Sequence, residues 1–119
     1  MQYIGIDLGT SAVKLLLVDE AGAILNTVSE EYPLYFPKPG WSEQEPTDWW
    51  DACVTGVRKL LTGFDANEVA GIGVGGQMHG LVALDGQDQV IRRAILWNDG
   101  RTAEETAWLN TAVDRKSVV

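Results

Sequence analysis

The 119-residue chain contains one cysteine, Cys53, and one histidine, His79. One residue of each type excludes an intrachain disulfide and a zinc site built from Cys and His ligands. Such cysteine usage suits a reducing cytosol, so a cytoplasmic protein is expected. Positive charge is also scarce. Nine Lys and Arg stand against 17 Asp and Glu, for a formal net charge of −8. A surface for nucleic acid or for anionic lipid wants the opposite sign, so neither partner is expected. Small phosphorylated ligands stay open, because backbone N–H groups bind them without net positive charge. No run of 18 apolar residues occurs, and no membrane span is predicted. The N-terminal MQYIGIDLG has no basic stretch ahead of a long apolar core, so no signal peptide is read there. Three of the four prolines fall within PLYFPKPGW, residues 33–41, which predicts an extended connection without regular structure.

What is present is an ordinary globular balance, 45% hydrophobic and 22% charged. Apolar runs at 2–8 and 12–19, each bounded by a glycine-bearing turn, read as strands. Residues 23–32 read as a third strand that grows polar, as an edge strand does. Together they predict an antiparallel three-strand meander. Residues 45–64 predict a helix, with Pro46 in the first turn and Trp49, Trp50, Cys53, Val54, Val57, Leu60, Leu61 and Phe64 at helical spacing. Gly63 lies near its stop. Residues 69–77 predict a buried strand of small residues. Residues 81–85 and 90–97 predict further strands of the same sheet, and 102–113 a second helix with capping-box spacing at Thr102 and Glu105. The last six residues, DRKSVV, offer no closing element. The fold class expected is α/β with a mixed sheet, not the strict strand–helix alternation of a doubly wound fold. Most of the five tryptophans are expected in the core.

Gly71, Gly73 and Gly76 match G-x-G-x-x-G. The segment that follows, QMHGLVALD, reads as loop and strand, so the helix that a dinucleotide site requires is missing. The glycines read instead as close packing within a buried strand. DLGTSAVK, residues 7–14, carries more chemistry. A carboxylate at a strand end, followed by a Gly-Thr-Ser turn, can hold phosphate oxygens on backbone N–H groups and hydroxyls. Asp7 can hold Mg²⁺ directly or through water, and Lys14 can add positive charge. The same residues also make a plain hairpin in which Asp7 caps its turn, and spacing alone leaves both readings open. GGQMHG, residues 75–80, suits a small-ligand pocket or an ordinary surface loop. In ILWNDGR, residues 95–101, Trp97 offers an apolar wall, with Asn98, Asp99 and Arg101 beside it. The bland alternative is an Asp-Gly turn with Arg101 paired to an acid on the next helix.

YIGIDLGTSAVK, GWSEQEPTDWW, GIGVGGQMHG and AILWNDGRTAEE occur in that order over nearly the whole chain. Together they resemble the start of the FGGY carbohydrate kinases, and QMHG with WNDGR resembles the members that act on D-xylulose. The resemblance implies a ribonuclease H-like, actin-like ATPase fold that binds ATP and Mg²⁺ between two domains. It implies transfer of the γ-phosphoryl group of ATP to the 5-hydroxyl of D-xylulose, giving D-xylulose 5-phosphate. Carried over by motif, Asp7 is the Mg²⁺-associated carboxylate and is needed for activity. Gly9, Thr10 and Ser11, with Lys14, form the first phosphate loop. Met78 and His79 contact the sugar, and Gln77, Trp97, Asn98 and Asp99 belong to the same pocket. Family members are much longer, and their catalytic aspartate and second ATP-binding domain lie further along. Residues 1–119 are therefore expected to be a partial N-terminal kinase domain, incomplete and inactive alone, whose parent enzyme can be a homodimer. Three alternatives stand beside this. One is a kinase of the same family for another pentulose, a polyol or a sugar acid. Another is a non-catalytic actin-like or chaperone-like ATPase module, and the last a non-catalytic interaction domain that self-associates.

Overall fold

A computed structural model describes residues 1–113 of the chain, and DRKSVV lies outside the described residues. Strands β1 (Gln2–Leu8), β2 (Ala12–Asp19) and β3 (Ile24–Glu31) form the expected meander. Both of its pairings are antiparallel. After a two-residue strand β4 (Glu43–Gln44) comes helix α1 (Pro46–Leu60). The chain then crosses to the far side of β1 and enters β5 (Val69–Gly76), parallel to β1. The sheet order is β3-β2-β1-β5, so the sheet is mixed and β3 is an edge strand.

Period-2 patterning sets the buried face. Val13, Leu15 and Leu17 of β2 are buried, while Lys14 and Leu16 between them are exposed. Ile4 of β1 joins them, and α1 covers this face with Ala52 and Leu60 in the core and Trp49, Cys53 and Val57 packed beside it. Pro46 opens the helix, Asp48 lies in its first turn, and Arg58 and Lys59 lie in its last, which complements the helix dipole. Lys59 also reaches Glu30 at 2.6 Å, tying helix to edge strand.

Gly56 sets how closely α1 approaches the sheet. A Cβ there would stand 2.5 Å from Leu15 Cδ1, inside the core. Gly56→Ala is therefore expected to destabilise the protein despite the better helix former. The propensity gain is about 1 kcal/mol. Overpacking costs about 1–3 kcal/mol, so a net loss of about 1 kcal/mol follows. Urea denaturation checks it, and a raised midpoint would mean that Leu15 swings aside freely.

Several expectations need correction. β5 is a strand but not a buried one, because α1 packs over β2 and β3 and leaves Ile72 and Val74 exposed. Its glycines do not all serve close packing. Gly76 does, since a Cβ would meet Leu8 Cβ at 2.9 Å, but nothing stands within 4 Å of such an atom at Gly73 or Gly75. Residues 81–85 form no strand. A single bridge, Leu84 to Val90, closes a turn in which the Asp85 carboxylate accepts from the N–H groups of Gln87 and Gln89. Within 90–97 only Ala94–Ile95 is a strand, β6, and it pairs with β4 in a separate two-stranded sheet. Helix α2 (Ala103–Ala112) forms, but the Thr102 side chain makes no capping bond. Of the tryptophans, Trp50, Trp97 and Trp108 are exposed. A large apolar ring does not by itself reach the core, because burial also needs a covering element, and α1 covers only the β2–β3 side of the sheet.

Candidate functional site

The turn between β1 and β2 is held by backbone. Gly9 N–H donates to Ala12 O at 3.0 Å, and a Cβ on Gly9 would stand 2.8 Å from that oxygen. No Cβ can be accommodated against a ladder carbonyl, so the turn needs glycine. The Asp7 carboxylate is exposed and makes no hydrogen bond or ion pair among the described residues. It does not cap the turn. Gly9 takes backbone carbonyls instead, which removes the plain-hairpin role for Asp7. With Lys14, its register partner on β2, Asp7 lines a hollow of about 610 Å³ on the bare sheet face, floored by Gly5, Gly73 and Gly75. The Thr10 and Ser11 N–H groups are unused by the rest of the described fold.

A second layer supports the turn from inside. Tyr32 donates its phenolic O–H to Gly9 O. Burial, with smaller contributions from Cys53 and Asp7, pushes that phenol up to about 12, so it stays a donor at neutral pH. Gln44 is wholly buried. Its amide nitrogen donates to Thr10 O at 2.6 Å and to Pro33 O at 3.4 Å. Its oxygen accepts from Trp49 Nε1 at 3.1 Å and from Gln77 Nε2 at 2.9 Å.

β5 delivers the next loop. Gln77 N–H continues the ladder by donating to Leu8 O at 2.9 Å. His79 follows with φ of 66°, in the left-handed region that side chains other than glycine rarely adopt. It lines a hollow of about 420 Å³ with Arg92, Arg93, Trp97 and Asp99. The indole N–H of Trp97 donates to Thr10 Oγ1 at 3.4 Å, so this hollow abuts the phosphate-type turn.

Asp99 has a second job. Its carboxylate accepts from Arg101 Nε at 2.9 Å, Arg101 Nη2 at 2.7 Å, Arg101 N–H at 2.9 Å and Ser42 N–H at 2.6 Å. Arg101 also pairs with Glu43 at 2.9 Å and stacks 3.6 Å above the Trp41 ring. Chiefly the Arg101 hydrogen bonds hold the Asp99 carboxyl well below the usual carboxylate range, against the opposing pull of desolvation. This latch fastens the loop of Trp97 to residues 40–44. Arg101 pairs with these acids and with none on α2.

The structure thus brings His79, Trp97 and Asp99 to one hollow and ties the Gly9-Thr10-Ser11 turn to it through the Trp97–Thr10 bond, while Asp7 and Lys14 line the separate hollow on the bare sheet face. Met78 is exposed and does not line that hollow, and Asn98 lines a different one beside Phe36 and Trp41. Gln77 turns inward to Gln44. Sequence reasoning missed Gln44, Glu43 and Tyr32. SEQE reads as a solvated polar stretch, and nothing in it signals burial.

A meander, a crossover helix and a parallel fourth strand, with a Gly-Thr-Ser turn at the head of the sheet, are the arrangement of the actin-like ATPase fold. The model of the FGGY family of carbohydrate kinases, N-terminal domain, matches residues 2–119. The chain belongs to this family. It is 44% identical over 117 residues to the xylulose kinase of Escherichia coli K12, an alignment covering 98% of this chain and 24% of that protein. The solved "xyloylose kinase" of Brucella ovis superposes with a TM-score of 0.90 at 44% identity, over 94% of this chain and 24% of that one. The gluconate kinase of Lactobacillus acidophilus superposes with a TM-score of 0.88 at 31% identity, over 93% and 22%. The chain thus spans about a quarter of the length of the relatives it matches. No helix among the described residues is long and apolar enough to cross a membrane.

Proposed function

We propose that the chain is the N-terminal part of an ATP-dependent sugar kinase whose acceptor is the 5-hydroxyl of D-xylulose. The carrying observation is the Trp97–Thr10 contact, which sets a polar, aromatic-walled hollow against a turn suited to phosphate. The free N–H groups of Thr10 and Ser11 receive phosphate oxygens, and Lys14 adds positive charge. His79 and Trp97 hold the sugar, one with a polar ring and one with an apolar face. Asp99 acts by holding the loop of Trp97.

Among the described residues no three metal-ligating side chains converge. That fits Mg²⁺ held by one protein carboxylate, because Mg²⁺ keeps several waters and shares phosphate oxygens. Asp7, unpaired and exposed beside the turn, is that carboxylate. The ion neutralises charge on the phosphates when bound. None of the carboxylates present is assigned as the base for the sugar hydroxyl. That role falls to a residue further along the intact protein, so the 119-residue chain alone should show no turnover.

A sugar acid is the alternative that a specific feature favours, since Arg92 and Arg93 line the hollow. Both are already paired, Arg92 with Glu43 at 3.0 Å and Arg93 with Glu45 at 3.8 Å. Their charge is compensated, which favours an uncharged acceptor. A sugar panel on the intact protein tests this. D-Xylulose is expected to exceed D-ribulose, glycerol and gluconate by about tenfold or more in kcat/KM. Preference for gluconate would move the assignment to a sugar-acid kinase.

A further inference from the structure

We propose that Gln44 is a positioning residue that holds the phosphate turn and the sugar-side loop in one frame. The proposal rests on the kinase reading for its catalytic consequence, and on geometry alone for the positioning itself. A carboxamide has two N–H donors and one oxygen with two acceptor sites. Gln44 uses all four. The orientation follows from its partners, since Thr10 O and Pro33 O can only accept and Trp49 Nε1 can only donate. The nitrogen end therefore fixes the turn that carries Thr10 and Ser11. The oxygen end fixes Gln77, the residue next to Met78 and His79. The backbone of Gln44 is pinned in turn, paired with Ala94 of β6, three residues before Trp97.

One buried amide thus joins three segments separated by more than thirty residues in sequence. Burial makes the arrangement discriminating. An amide with no exposed surface cannot exchange a lost partner for water, so displacement of the turn or of the loop costs a hydrogen bond outright. Phosphoryl transfer between two bound substrates depends on their relative placement, and a misplacement of about 1 Å costs about 100-fold in rate. Among the described residues, the Leu8–Gln77 ladder bond and the Trp97–Thr10 contact are the other hydrogen bonds between the turn and the sugar-side segments.

Two substitutions in the intact protein separate the ends of the amide. Gln44→Met keeps the volume and removes both ends. Amide hydrogen exchange at Gly9 and Gln77 is expected to accelerate about tenfold or more, with Leu15 and Leu17 in the core unchanged. The kcat for phosphoryl transfer is expected to fall about tenfold or more. Gln77→Leu cuts only the loop side, at a half-buried position where folding is retained. Gln77 exchange should then rise while Gly9 exchange stays as it was. If Gln44→Met does not fold, the second variant carries the test. Unchanged exchange at Gln77 in the variant that folds overturns the proposal. So does a loss of protection that includes Leu15 and Leu17 equally, because that is plain destabilisation. If the intact wild-type protein phosphorylates no sugar, the kinase reading falls on its own, and the exchange data still decide the role of Gln44.

Discussion

Asp7→Asn is expected to lower kcat of the intact enzyme about a thousandfold, the scale seen when one group that stabilises transferring charge is removed. Stability should be nearly untouched. The Asp7 side chain is exposed and has no hydrogen bond or ion pair to lose among the described residues. Asparagine has the same shape, so the turn that Gly9 holds through Ala12 is undisturbed. The sugar KM should also hold, because the hollow of His79 and Trp97 does not include residue 7. Steady-state kinetics with thermal unfolding on the same preparation read all three quantities. Retention of activity within tenfold of wild type would remove Asp7 from the metal role. A large loss of Tm would mean that the carboxylate is structural after all.

Asp99→Ala should instead act on stability. The carboxylate is almost completely covered and takes four hydrogen bonds, three of them from Arg101. Its removal leaves Glu43 as the acidic partner of Arg101 among the described residues, beside the Trp41 ring. A deeply buried ion pair broken this way costs about 3–5 kcal/mol, but Arg101 keeps Glu43 and the pair borders a solvent-filled hollow, so about 2 kcal/mol is expected at neutral pH. The pH dependence has a definite sign. Arg101 holds the folded carboxyl well below its unfolded value. A depressed carboxyl contributes stability that is fully present above the unfolded pKa of about 3.9 and is lost as pH falls through the folded value. The gap between wild type and Asp99→Ala in urea midpoint should be constant near neutrality and narrow below about pH 4. A gap that stays constant down to pH 2 would show that packing, not charge, supplies the difference. The loop of Trp97 should loosen too, raising the sugar KM in the intact enzyme.

Local chemistry explains which elements were legible. β1, β2 and β3 carry strong period-2 patterning and short glycine turns, and each lies within a residue of its expected bounds. Helix α1 was legible from Pro46 and its apolar stripe, though it ends at Leu60 rather than Phe64. The segments 81–85 and 90–97 misled because apolar β-branched residues suit a strand anywhere. What they pair with is not local, and here the partner of Ala94 and Ile95 is β4 across the chain. The buried reading of β5 failed for a related reason. Small and branched residues mark a strand able to be covered, not one that α1 reaches.

The site divides along the same line. Asp7 and the Gly-Thr-Ser turn are contiguous, so both their chemistry and their family resemblance were present in one short stretch. Sequence left the plain hairpin open there, and only the bond from Gly9 to Ala12, with the Asp7 carboxylate left free, decided against a capping role. Asp99 looked like a ligand beside Trp97. Its bonds to Arg101 and to the Ser42 N–H make it a fastener as well, because one of the groups that occupy its oxygens comes from a distant segment. Gln44 was invisible for the same reason. By itself the sequence determined the class, the meander, the helix and the phosphate-type turn, since each depends on neighbours within a few residues. The tertiary structure alone decided which polar side chains hold the site together, because a buried hydrogen bond is defined by partners that only folding brings within 3 Å.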